Sequence, residues 1–69
     1  MKIEVVMTSK ESPEKSAKVY ELSVMTEKEA QRLADMVAND IAKMSEENYV
    51  VLLDGKEYAK IEQRKITVL

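Results

Sequence analysis

The sequence predicts an α+β fold in the order β-β-α-β-β, a four-stranded, mostly antiparallel sheet with one amphipathic helix packed on one face. Three observations predict it. Two segments near the start alternate apolar and polar residues with period two. A central segment opened by Thr26 and Glu29 repeats apolar residues at spacings of three and four. An Asp54-Gly55 dipeptide then separates two further extended runs, a strong hairpin signal.

The first strand is KIEVVMT, residues 2–8. Ile3, Val5 and Met7 point one way, and Lys2, Glu4, Val6 and Thr8 the other. SKESPEKS, residues 9–16, is polar, contains Pro13 and predicts a connecting loop. AKVYELSV, residues 17–24, alternates again, with Tyr20, Leu22 and Val24 on one face and Val19, Glu21 and Ser23 on the other. It is expected to run antiparallel to the first strand.

Thr26 and Glu29 form a capping box, in which the Thr oxygen accepts from a first-turn N–H and the Glu reaches back. Glu27 and Glu29 suit the positive end of the helix dipole. Ala30, Leu33, Ala34, Val37, Ile41 and Met44 then make one apolar stripe. Asn48 is expected to close the helix as a left-handed cap.

YVVLL, residues 49–53, is a short β-branched run with apolar residues on both faces. KEYAKIEQRKITVL, residues 56–69, returns as the fourth strand, but its apolar residues change phase. Ala59 and Ile61 share one face, and Ile66 and Val68 the other. One extra residue would bring them together, so a β-bulge is expected within EQR, residues 62–64. The alternative is two segments, residues 58–61 pairing with the third strand and residues 65–69 with another. A long bent strand pairing first with the third strand and then with the first satisfies both.

Composition limits the chemistry. Sixty-nine residues make one small domain, of a size that buries only about 60% of its unfolded surface. Cys and His are absent, which removes disulfides and the usual zinc and haem ligands and leaves oligomerisation as the remaining support. At 45% hydrophobic and 35% charged, the chain has the balance of a soluble folded domain. The N-terminal segment alternates too strongly for a signal peptide, and no run approaches the roughly 20 apolar residues of a membrane span. A cytoplasmic protein of bacterial or phage style, read as a short independent frame, is the expectation.

Catalysis is not expected. Ser9, Ser12, Ser16, Ser23 and Ser45 have no His to activate them. A single glycine excludes Gly-rich phosphate loops. Glu46 with Glu47, or Asp35 with Asp40, are carboxylate pairs, but among thirteen acids they read as solvated surface. No EF-hand spacing occurs. No catalytic residue, no cofactor and no metal ligand is assigned.

Binding is the better prospect. The sheet face away from the helix should carry Val6, Val19 and either Val50 and Leu52 or Tyr49, Val51 and Leu53, with Leu69 beside them. The interface assigned is Val6, Val19, Val50, Leu52 and Leu69. One helix cannot cover this face, whereas a second copy or another protein can. Apolar residues scattered among Lys and Glu are the plainer account. The alternative partner is nucleic acid, through Lys56, Tyr58, Lys60, Arg64 and Lys65. A net charge of −2 and a pI of about 5.1 weigh against it. Glu27, Asp35, Asp40 and Glu46 suggest a third, acidic-mimic reading, which that small net charge also weakens. The favoured expectation is a small non-enzymatic interaction or regulatory module, acting as a homodimer or an accessory subunit.

Overall fold

The computed structural model describes residues 1–8 and 16–69. Apart from Ser16, the loop expected over residues 9–16 lies outside the described residues, as does Pro13. The elements are β1 (Lys2–Thr8), β2 (Ala17–Ser23), α1 (Glu27–Met44), β3 (Asn48–Leu53), β4 (Lys56–Glu62) and β5 (Lys65–Val68). The α+β class holds. The strand count and order do not: among the described residues the strands number five, in the order β-β-α-β-β-β, and form one antiparallel sheet, β2-β1-β3-β4-β5.

The fifth strand comes from the segment whose phase slips. Gln63 and Arg64 have φ of 49° and 65°, the left-handed pair that a two-residue type I′ hairpin requires. The chain reverses there, and β5 returns along β4 with Ile61 opposite Ile66. Residues directly opposite share a face, so the turn does what a bulge was expected to do. No bulge occupies residues 62–64, and β5 pairs with β4 rather than with β1. The preceding turn, Asp54 at φ 49° and Gly55 at φ 81°, is built the same way. Asp54 is also tied to β1, since its N–H donates to Lys2 O and its Oδ1 accepts from Lys2 N at 2.8 Å.

Bulges do occur, one in β2 and one in β4. Val5 faces Tyr20 while Val6 faces Lys18, leaving Val19 as the extra residue. Val51 faces Ala59 while Leu52 faces Glu57, leaving Tyr58 as the extra residue. Each shifts the phase of its strand by one residue.

The core lies between α1 and the centre of the sheet. Ile3, Val5, Val51, Leu53, Ala59 and Ile61 meet Ala30, Ala34, Ala38 and Ala42. The alanines recur every four residues and so lie one above another along the helix. Having no side chain beyond Cβ, they let the backbone settle close to the sheet. Leu33, Val37 and Ile41 pack as half-buried flanks. The buried stripe is thus turned from the expected one: Ala38 and Ala42 join it, and Met44 is 78% exposed. Full burial of each large aliphatic side chain, such as Ile3 or Ile61, is worth about 1.5–3 kcal/mol.

Thr26 caps the helix as expected, its Oγ1 accepting from Glu29 N at 3.2 Å. The other end differs. Ser45 is the C-cap, in extended conformation, and Asn48 opens β3 opposite Thr8. The Ser45 hydroxyl accepts from Glu47 N and from Tyr49 Oη, which steers the chain from helix into strand.

Candidate interaction surface

The register decides which side chains face the helix. Val51 and Leu53 sit beside Val5 and Ile3 in the core, so Val50 and Leu52 fall on the far face with Val6. Val6, Val50 and Leu52 form a half-buried apolar strip there, across the two central strands. Ion pairs border it. Lys2 Nζ lies 2.8 Å from Glu21 Oε1, and Lys18 Nζ lies 3.0 Å from Glu4 and 3.5 Å from Glu21. On the other side Lys60 stands 4.0 Å from Glu57. The hydrogen bond from Lys2 is the main cause holding the Glu21 carboxyl below its ordinary value, with Lys18 adding to it. Lys2 is raised chiefly by Glu21, and Lys18 chiefly by its bond to Glu4.

The other two assigned interface residues lie elsewhere. Val19 is the bulge residue at the β2 edge, and Lys18 takes the far-face place opposite Val6. Leu69 is exposed beyond β5, its N–H donating to Tyr58 O.

A larger apolar surface lies on the helix side. The axes of the outer strands in a five-stranded sheet stand about 19 Å apart, while a helix is about 10 Å across. One helix therefore cannot cover the whole face. α1 approaches β1, β3, β4 and β5, but none of its Cα atoms comes within 8 Å of β2. Tyr20 and Leu22, opposite Val5 and Ile3, remain 39% and 37% exposed. Val19 and Met25 are also exposed. Sequence reasoning placed Tyr20 and Leu22 on the core face and missed their exposure, because that depends on a fifth strand widening the sheet.

The basic set does not gather on one face. The Tyr58 hydroxyl donates to Asp35 Oδ1 on α1 at 3.0 Å, which puts Tyr58 on the helix side. Burial, with Asp35 adding, pushes the Tyr58 phenol upward. Lys56 is opposite Leu53 and shares its face. Lys60 is opposite Val50, on the far face, and Lys65 is opposite Glu62 at the end of the β4–β5 hairpin. Arg64 Nη2 lies 3.5 Å from Glu46 Oε1.

An open hollow of about 420 Å³ is lined by Asn48, Glu62, Gln63, Lys65 and Thr67. Asn48 Oδ1 is buried without a hydrogen-bond partner among the described residues. Among the described residues no group of three or more Asp, Glu, His or Cys converges on a metal-sized site, and no helix is long and apolar enough to cross a membrane. No protein-family model matches the chain, and no curated protein or solved structure is significantly similar to it.

Proposed function

We propose that this chain is a small non-enzymatic interaction module that works by self-association, or as an accessory subunit, in a cytoplasmic setting. The observation that carries the reading is the exposed apolar set Val19, Tyr20 and Leu22 on β2, an outer strand that the helix does not reach. Apolar surface next to a strand edge with no partner among the described residues is the usual ground for strand-to-strand association.

Light scattering over a concentration series tests it. The expected mass is twice the 7.9 kDa of one chain, falling toward one chain in Leu22→Glu. A single-chain mass at every concentration up to about 1 mM would rule out self-association stronger than about 4 kcal/mol.

The nucleic-acid reading has less support. Stacking on a sheet needs aromatic and basic groups on one accessible face. Here Tyr58 is engaged with Asp35 on the helix side, while Lys60 lies on the other face. No shift of single-stranded RNA or DNA is expected in a mobility assay, even at low salt.

A further inference from the structure

We infer that two copies pair antiparallel through β2, about a two-fold axis between Val19 and Tyr20, into a ten-stranded sheet with both helices on one face. The inference rests on the self-association proposed above and names its surface and its partner.

Backbone direction comes first. Met1 and Val24 exchange backbone hydrogen bonds, so Met1 serves β2. Lys2 instead serves the β3 side, through Asp54. Alternate residues of a strand between two antiparallel neighbours serve opposite sides. Ile3 and Val5 therefore bond to Leu22 and Tyr20, while Lys2, Glu4 and Val6 bond toward β3. The β2 residues opposite those three are Ser23, Glu21 and Lys18. Their N–H and C=O groups point off the outer edge, which no described strand covers.

The bulge then makes β2 complementary to itself. In a regular strand, residues 18 and 21 would lie on opposite faces and serve opposite edges. With Val19 as the extra residue, Lys18 and Glu21 share the far face and the outer edge. A second copy, turned about the centre of the strand, sets its Glu21 opposite Lys18 and its Lys18 opposite Glu21. Each unit so formed exchanges backbone bonds and matches a cation with an anion. Ser16 and Ser23 continue the same register. On the helix side Ala17 meets Leu22, with Val19 and Tyr20 of both copies at the centre. The strip that one helix leaves bare becomes the middle of a surface between two helices.

A bulge ordinarily blunts an edge by putting its ladder out of step. About this axis the two bulges face each other, so an extra residue in one strand matches an extra residue in the other. The β5 edge offers less. It has four residues, and its only charge, Lys65, would oppose Leu69 in the symmetric register. Joining β2 to β5 head to tail would give an open filament rather than a closed pair.

Charge reversal with mixing tests the inference. Lys18→Glu and Glu21→Lys each place like charges opposite one another twice, and each alone should raise the dimer dissociation constant at least ~10-fold. Mixed one to one, they place opposite charges together twice and should recover a heterodimer. Circular dichroism checks that each variant is folded. Wild-type amide exchange gives a second readout that needs no variant. The Lys18, Glu21 and Ser23 amides should gain protection as concentration rises, while the Leu22 amide is protected throughout. A dimer whose Lys18 and Glu21 amides stay unprotected, or one indifferent to both charge reversals, would overturn the β2 pairing and leave self-association standing. A wild-type chain that stays monomeric would overturn both.

Discussion

β2 and β5 are both outer strands with every residue exposed, yet different forces attach them. β2 is laced to β1 by Lys2–Glu21 and Lys18–Glu4 on the far face and closed by the Met1–Val24 bonds, with no help from the helix. β5 hangs from a strained turn, stands beside buried Ile61 and Ala59, and has α1 alongside it. Exposure therefore does not measure attachment. One edge is held by charges in water, the other by apolar contact and backbone conformation.

The sharpest way to break this comparison is to truncate the two halves of the Ile61–Ile66 pair. Ile61 is fully buried, and Ile61→Ala should cost about 2–5 kcal/mol of global stability. Ile66 is 37% exposed, and Ile66→Ala should cost about 1 kcal/mol, in proportion to the smaller area it removes from water. Urea midpoints measure both. Equal losses would make β5 part of the core rather than an appended edge.

The same hairpin marks where the sequence was legible and where it was not. The phase conflict between Ile61 and Ile66 was visible, and it did require an interruption. The interruption itself left no local sign, because Gln63-Arg64 lacks the Gly or Asn that normally supplies positive φ. Asp54-Gly55 makes the same kind of turn and announced it. What holds Gln63-Arg64 in place is tertiary: Ile66 meeting Ile61, and α1 lying alongside β5. The helix stripe was legible in period but not in rotation, since Ala38 and Ala42 gain their role only once the backbone lies close to the sheet. At the candidate surface, Val6 was readable by alternation, but YVVLL is apolar at every position, so only its register against β1 puts Val50 and Leu52 on the far face. The Lys18–Glu4 pair was not readable either, because it depends on the bulge at Val19.

The two turns supply the next test. No atom lies within 4 Å of where a Gly55 Cβ would stand, so Gly55→Ala costs only backbone strain, about 1–2 kcal/mol at positive φ. Arg64→Gly should act oppositely and more weakly. It relieves strain of about 1–2 kcal/mol, while the freer unfolded glycine costs about 0.5–1 kcal/mol. It also gives up the exposed pair with Glu46, worth about 0–1 kcal/mol. A gain of about 0.3 kcal/mol is expected, with Glu46→Gln as the control for the lost pair. A loss in Arg64→Gly beyond that of the control would mean that the turn is not strained.

The smallest effect probes what fastens β2. Glu21 is depressed, first by the Lys2 hydrogen bond and then by Lys18. Its contribution is therefore present above the ordinary carboxylate value and is lost as pH falls through the depressed one. Lys2 and Lys18 are raised, so theirs is present below the ordinary lysine value and is lost as pH rises through the raised ones. Between these limits β2 should be most firmly attached. Salt should loosen it, since at about 1 M the screening length falls to about 3 Å. The apolar contact holding β5 has no such sensitivity. Amide protection, corrected for intrinsic exchange and measured dilute enough to keep the chain monomeric, should fall at Tyr20 and Leu22 in salt or acid while Lys65 and Thr67 hold. If both strands loosen together, the outer strands open as one unit, and the ion pairs on the far face are surface decoration rather than fastenings.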